Sequence, residues 1–177
     1  MWAERHQENL SGRREMMISS KPWLQLARLA DATVIADMSR VLIESGLRWR
    51  WTPQRVLASV RAANVNVLVA RIDDRIAGFA IMRYGDDVAH LDLLAVAPFC
   101  QRAGIGRQLL EWLEKCAVVA GIGSIELEVR AQNTGAQLFY EIMGYRKLAH
   151  IPGYYEGIED AFRMRRDLSC GPSTSGL

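Results

Sequence analysis

The segment between Leu91 and Ala120 constrains the fold of this chain more than any other part of the sequence. A strand-like run is followed by a short turn with glycines at 104 and 106, and then by the clearest amphipathic helix, predicted over residues 104–120. Apolar side chains recur along one face of that helix, namely Ile105, Leu109, Trp112, Leu113, Cys116 and Ala120. The chain must therefore fold as a mixed structure in which a strand leads directly into a long packed helix.

The turn between this strand and this helix has the chemistry of an anion site. Backbone N–H groups of residues 102–107 lie at the predicted helix N-terminus, where unpaired donors and the helix dipole attract phosphate. Gly104 and Gly106 lack the Cβ atoms that keep an anion from the backbone, and Arg102 and Arg107 add positive charge. A tight turn alone would also explain the glycines. A dinucleotide-binding turn is disfavoured, because this turn follows several antiparallel strands instead of opening a parallel βαβ unit.

Strand-like and helix-like segments alternate over the rest of the chain, which predicts a mixed α/β fold around one sheet. Strands are predicted over residues 23–28, 65–71, 76–84, 88–97, 124–130, 145–150 and 158–166, and further helices after Asp31, after Thr52 and over 133–143. Short turns join the three strands between 65 and 97, which indicates an antiparallel meander. We predict a single domain over residues 21–168, with a flexible leader (1–20) and a flexible tail (169–177).

The composition argues against several other classes of protein. A formal net charge of +2 gives no basic footprint for nucleic acid. The cysteines, at 100, 116 and 170, have no paired spacing, and the histidines, at 6, 90 and 150, are too scattered for a metal site. No apolar run is long enough to span a bilayer, and residues 1–20 lack the apolar core of a signal peptide. We therefore expect no metal, no nucleic-acid partner, no membrane partner and a cytoplasmic location.

Several motifs resemble those of the GNAT superfamily of acetyltransferases. The similarity to the acetyl-CoA motif of that family lies in Leu94-Ala95-Val96, Pro98 and the run Gln101-Arg102-Ala103-Gly104-Ile105-Gly106-Arg107-Gln108-Leu109-Leu110. It continues in Leu127-Glu128-Val129-Arg130, Asn133, Leu138-Phe139-Tyr140-Glu141, Met143-Gly144-Tyr145 and Gly153-Tyr154-Tyr155-Glu156. The later motifs together resemble the branch that acetylates protein N-termini, typified by ribosomal-protein alanine N-acetyltransferases. The resemblance covers residues 72–168 and is weak before them.

The resemblance implies a three-layer α/β domain with about four helices and a mostly antiparallel sheet of six to seven strands, splayed between the fourth and fifth strands. It implies acetyl-CoA as the donor and direct transfer to a primary amine, with a protein N-terminal α-amine such as that of a ribosomal protein favoured. Two alternatives stay open: a small-molecule amine (polyamine, amino acid or aminoglycoside), and a non-catalytic acyl-CoA-binding module. The sequence leaves the oligomeric state open.

The contacts that the family makes to its cofactor carry over to three parts of this chain. Main-chain groups of Leu94, Ala95 and Val96 are expected along the pantetheine arm, although these apolar side chains also suit a core strand. The pyrophosphate is expected at Arg102, Ala103, Gly104, Ile105, Gly106 and Arg107. Asn133 is expected to contact the arm through its amide, to cap the following helix, or to do both.

The resemblance also assigns an acid and a base. Tyr140 matches the tyrosine that protonates the leaving thiolate, and Glu128 matches the general base that receives the proton of the amine. The alternatives are core packing for Tyr140 and a solvated strand face for Glu128. His90 or Asp92 is a second candidate for the base, since alternation places both with Leu94 on one face of the preceding strand.

Tyr154 and Tyr155 are predicted in the loop between the last two strands. In the N-terminal branch, tyrosines at this place are expected to grip the peptide backbone near its free amine. The alternative is that two amphipathic side chains cover the end of the sheet.

Overall fold

The computed structural model describes residues 21–168 as one seven-stranded sheet with four α-helices. The strands are β1 (Trp23–Leu26), β2 (Val65–Ile72), β3 (Arg75–Tyr84), β4 (Val88–Val96), β5 (Ser124–Arg130), β6 (Arg146–Tyr155) and β7 (Glu159–Asp167). The helices are α1 (Ala32–Leu42), α2 (Pro53–Arg61), α3 (Ile105–Val119) and α4 (Thr134–Ile142). The predicted leader (1–20) and tail (169–177) lie outside the described residues.

The strands follow the order β1-β2-β3-β4-β5-β7-β6 across the sheet. Neighbouring strands are antiparallel except β4 and β5, which are parallel because the chain crosses over between them through α3. This arrangement confirms the predicted mixed α/β fold, its meander and its mostly antiparallel sheet.

The sheet opens between β4 and β5. The two strands pair only at their starts, where Val88, Ala89 and His90 of β4 face residues 124–126 of β5. Beyond His90 the strands diverge, although β4 continues for another six residues beside β3. The predicted splay between the fourth and fifth strands is therefore confirmed. Among the described residues, it leaves one backbone edge of the second half of β4 without a neighbouring strand.

Each face of the sheet buries its own core, which gives the three predicted layers. The helices α3 and α4 cover one face, where Leu109 and Tyr140 join a large cluster of buried side chains. The helices α1 and α2 cover the other face, where Ile35 and Val56 are fully buried. The splay lies where both layers meet the open edge of β4.

A β-bulge in β4 changes which side chains face each layer. Met82 of β3 is opposite Leu91, and Ile81 is opposite Leu93, so that Asp92 is an extra residue on β4. Consequently Leu91 lies in the core under α3, whereas Leu93 lies in the core under α1 and α2.

The bulge overturns one prediction made from simple alternation. His90 and Asp92 were expected to share a face with Leu94. In the structure Leu94 packs against the core under α3, whereas His90 and Asp92 contact each other on the opposite side of the sheet. The prediction was wrong because a period of two fails where a strand gains a residue.

Strand β6 also extends further than expected. Tyr154 and Tyr155 were predicted in a loop, but they are the last residues of β6. The strand continues through a wide irregularity, because Ile151 pairs with Ala161 and Tyr155 pairs with Glu159. Pro152 and Gly153 occupy this irregularity on an edge strand, where a proline and a glycine with φ of +62° are tolerated.

Candidate active site

A cavity of about 600 Å³ lies at the splay. The loop between α1 and α2 borders it on one side, and the ends of β5 and β6 border it on the other. Its lining includes His90, Asp92, Leu94, Glu128, Asn133, Tyr140, Tyr154 and Tyr155. The fold thus brings together at one cavity side chains that the sequence singled out on four separate elements.

The loop before α3 presents its backbone to the outside. Arg102 and Gly104 have left-handed backbone conformations, with φ of +66° and +77°, and Gly104 immediately precedes the helix. Within residues 21–168, the backbone N–H groups of residues 102–107 donate to no acceptor, and the first helical bond runs from the Gln108 N–H to the Gly104 carbonyl. Five or more unpaired donors at a helix start suit a phosphate.

The two glycines of this loop, Gly104 and Gly106, differ in backbone conformation and in the space around them. Gly104 needs its positive φ, which residues with a Cβ rarely adopt. Gly106 is helical, and a Cβ there would lie 3.5 Å from Phe139 and 3.7 Å from Leu94, which are ordinary contacts. The protein itself therefore leaves room for a methyl group at Gly106.

The open edge of β4 leads from this loop to the cavity. Leu94, Ala95 and Val96 pair with β3 on one side, and no strand among residues 21–168 pairs with them on the β5 side. The Val96 carbonyl accepts a hydrogen bond from the Gln101 side chain at 3.2 Å, which fixes the start of the loop against the strand. An extended chain with amide groups could add to this edge as a further strand would.

Glu128 forms an ionic cluster with residues of β4 and β7. Its side chain is 7% exposed. One carboxylate oxygen lies 2.8 Å from His90 Nε2, and the other accepts from Arg163 Nε at 2.8 Å. His90 Nδ1 lies 2.8 Å from an Asp92 oxygen, and Asp92 also pairs with Arg83. Glu128, His90 and Asp92, the three candidates for the base, are thus connected by hydrogen bonds in one group.

The cluster fixes the charge of its members near neutral pH. Hydrogen bonds to Asp92 and Glu128 raise the pKa of His90 to about 9, against the opposing effect of its burial. Burial alone would raise the pKa of Glu128, but the hydrogen bonds from His90 and Arg163 outweigh it and lower the pKa to about 2. Near pH 7, His90 is therefore an imidazolium beside the Glu128 carboxylate.

Tyr140 lies at the inner wall of the cavity. It is 8% exposed, and its ring makes edge contacts with Phe139 and Tyr145, with centroids at 5.2 and 5.7 Å. Burial raises the pKa of the Tyr140 phenol, so this group keeps its proton at neutral pH. The packing expected as the alternative for Tyr140 is therefore present, and its phenol is protonated at the cavity wall.

The two tyrosines at the end of β6 stand beside Glu128. Their rings meet edge to face at 4.9 Å, and the Arg130 guanidinium lies 5.6 Å from the Tyr155 ring. Burial and the nearby Glu128 carboxylate raise the pKa of Tyr154. Burial likewise raises the pKa of Tyr155 to about 12. Two protonated phenols therefore flank the anion.

Asn133 is the N-cap of α4. Its side-chain oxygen accepts from the Ala136 N–H at 3.1 Å, and the residue also lines the cavity. The capping role expected from sequence is confirmed. Because the oxygen caps the helix, the amide nitrogen of the same side chain is left as a donor. It has no acceptor within residues 21–168 and is available to a ligand.

Two residues that sequence reasoning missed hold the loop between α1 and α2 in place. Glu44 is buried, and its carboxylate accepts from the N–H groups of Arg50 at 2.7 Å and Trp51 at 3.2 Å. Arg130 donates to the carbonyls of Ile43 and Ser45 at 2.7 and 2.9 Å. Arg130 lies in a motif that sequence analysis quoted, but nothing in the sequence separates Glu44 from an ordinary surface acid.

Comparison with known proteins agrees with this geometry. The model of the acetyltransferase (GNAT) family matches residues 35–145, more than half of the chain. The chain belongs to this family. As a GNAT protein it is an acetyl-CoA-dependent acyltransferase. A ribosomal protein bS18-alanine N-acetyltransferase of Salmonella typhimurium is 41% identical over 100 residues, which cover 55% of this chain and 68% of that relative.

Solved GNAT structures have the same architecture. The ribosomal-protein-S18-alanine N-acetyltransferase from Escherichia coli superposes with a TM-score of 0.75 at 25% identity, over 89% of this chain and 100% of that chain. Arabidopsis thaliana NAA60 in complex with acetyl-CoA superposes with a TM-score of 0.73 at 16% identity, over 83% of this chain and 98% of that chain. These likenesses confirm the three-layer fold predicted from sequence.

Neither a metal-binding cluster nor a membrane-spanning helix occurs within residues 21–168. No group of three or more His, Cys, Asp or Glu side chains is arranged to hold a metal ion there. None of the helices in the same range combines the length and apolarity needed to cross a bilayer.

Proposed function

We propose that this protein transfers the acetyl group of acetyl-CoA directly to the α-amine of a protein N-terminus. The observation that carries this proposal is the splay itself. It joins an open strand edge, a helix start with unpaired N–H groups, and a cavity that holds a carboxylate and a buried phenol.

The donor would occupy the open edge and the loop before α3. The N–H groups of residues 102–107 suit the pyrophosphate, and the room beside Gly106 allows close approach. The backbone edge of Leu94, Ala95 and Val96 suits the amides of the pantetheine arm. The acetyl group would then reach the cavity near Tyr140.

The chemistry is a nucleophilic attack by the amine on the thioester carbonyl carbon. A carbon–nitrogen bond forms, the carbon–sulfur bond breaks, and a proton moves overall from nitrogen to sulfur. Tyr140 would donate a proton to the departing thiolate, which its raised pKa allows it to hold until then. The attacking nitrogen would give its proton to Glu128, directly or through water.

The pKa of Glu128 bears on how it would act. A carboxylate with a pKa of about 2 is too weak a base to deprotonate a free ammonium group, whose pKa is about 8. Near pH 8 much of the amine is already neutral, and its nitrogen becomes acidic only once it has attacked the carbonyl. Glu128 would accept the proton at that stage, with His90 and Arg163 holding the carboxylate in position.

A protein N-terminus is supported as the acceptor by the relatives and by the cavity. The similar proteins from Salmonella typhimurium and Escherichia coli are named as N-acetyltransferases of a ribosomal protein alanine. Tyr154 and Tyr155 present hydroxyl groups at the cavity beside Glu128, where they can contact a peptide backbone. Such N-termini are available in the cytoplasm, the compartment that the sequence favours.

The test is a comparison of acceptors. The purified protein is incubated with acetyl-CoA and with free-amine peptides, spermidine, free amino acids or an aminoglycoside, and released thiol and acetylated product are measured. Turnover of peptides with little turnover of the small amines supports the proposal. Preference for a small amine contradicts the acceptor assignment, and acetyl-CoA binding without turnover of any acceptor contradicts the catalytic function.

A further inference from the structure

The rim of the cavity carries guanidinium groups that no carboxylate of the described part of the chain pairs with. Arg48, Arg50 and Arg55 line the cavity on the side of the loop between α1 and α2, and all three are exposed. Within residues 21–168, none of them forms a side-chain ion pair, whereas Arg83 pairs with Asp92. This side of the cavity therefore has an excess of accessible positive charge.

The acidic residues around these arginines are bound to the backbone instead. Glu44 accepts from the N–H of Arg50, and Glu156 accepts from the N–H of Arg48 at 3.2 Å. The carboxylates therefore fix the main chain of the loop and leave the guanidinium groups free. Arg55 is held differently, because its guanidinium stacks 4.0 Å from the centre of the Trp51 ring.

The arginines line a path that leads away from the reacting groups. A second hollow of about 560 Å³ is lined by Arg48, Arg50, Glu156 and Ile158. The first three of these residues also line the main cavity, so the two spaces adjoin each other. An acceptor whose amine lies near Glu128 has room to extend along this path, as a peptide chain does and a small amine does not.

We propose that the preferred acceptor is a peptide with an acidic side chain within its first few residues, which Arg50 and Arg48 bind. This inference rests on the proposed function and adds the chemistry of the residues that follow the amine. An acidic side chain on this path meets two unpaired guanidinium groups and one carboxylate, Glu156, that already accepts a backbone N–H. A basic side chain at the same place would be repelled by the two guanidinium groups and attracted by only one carboxylate.

The experiment compares heptapeptides with amidated C-termini that differ only at the second and third positions. These positions carry Asp, Asn or Lys, each behind Ala, Ser or Met, and free glutamate is a separate arm. We expect kcat/KM to be about three- to thirtyfold higher for the Asp peptides than for the Asn peptides. We expect this ratio to fall with rising salt, because the guanidinium groups are exposed.

The variant Arg50→Gln should reduce the Asp-to-Asn ratio of kcat/KM towards one, because one of the two guanidinium groups that bind the acidic side chain is lost. The matched control Arg61→Gln, at the exposed end of α2, should leave the ratio unchanged. Acetylation of the peptides with equal rates, or with a preference for Lys, overturns this inference and leaves the proposed function standing. Turnover of free glutamate in place of the peptides overturns both, since the carboxylate bound would then be that of an amino acid.

Discussion

Replacing Gly106 by alanine should separate the stability of the protein from its affinity for acetyl-CoA. Gly106 is helical, and an added methyl group would lie 3.5 Å from Phe139 and 3.7 Å from Leu94 without a clash. Alanine is better than glycine in a helix by up to about 1 kcal/mol. We therefore expect a melting temperature that is unchanged or higher by up to about 4 °C.

The same methyl group would lie on the first turn of α3, whose N–H groups are expected to bind the pyrophosphate. Loss of one charge-assisted hydrogen bond costs about 1.5–3 kcal/mol, which corresponds to a Kd for acetyl-CoA about 10- to 150-fold weaker. Isothermal titration calorimetry gives the affinity, and a thermal scan without ligand gives the stability. Gly104→Ala is the matched control, because its φ of +77° should cost about 1–2 kcal/mol of stability.

Two results would refute this reasoning. Wild-type affinity for acetyl-CoA in Gly106→Ala would mean that no phosphate approaches this part of the helix. A large loss of stability in Gly106→Ala would mean that the protein itself requires the glycine, contrary to the space seen around it.

Three further substitutions test other parts of the site. Tyr140→Phe keeps the ring contacts and removes the proton donor, so kcat should fall about 10²- to 10⁴-fold with little change in acetyl-CoA affinity; an unchanged kcat rules out the acid role. His90 has a pKa of about 9 in the folded protein against 6.5 for the ordinary group, so its stabilising effect is complete below pH 6.5 and is lost as the pH rises through about 9. The melting temperature of His90→Gln should therefore lie below that of the wild type at pH 6, and the gap should close by about pH 10. Glu44→Gln places an amide against the Trp51 N–H and weakens the loop, so KM for peptides should rise while acetyl-CoA affinity holds; Glu141→Gln, on the exposed face of α4, should change neither.

The sequence by itself predicted the segment where the cofactor is expected to bind. The order of residues along the chain is enough to predict this segment. The expected donors to the anion are consecutive residues in the turn with Gly104 and Gly106, between a strand and an amphipathic helix. The strands and helices could likewise be predicted from the spacing of apolar residues and from residues that cap helices. Tyr140 and Glu128 were reached through motif resemblance, and the structure brings both to the same cavity.

Only the tertiary structure revealed the ionic cluster and the loop between α1 and α2 that borders the cavity. His90 and Glu128 are 38 residues apart, and they meet only because β4 and β5 start side by side and then diverge. The bulge at Asp92 reversed the face of every later side chain on β4, which no alternating pattern could reveal. Glu44 is buried, and its carboxylate accepts hydrogen bonds from backbone N–H groups of the loop, which the sequence does not reveal. Local propensities depend on neighbours in sequence, whereas pKa values, faces and pairings depend on neighbours in space.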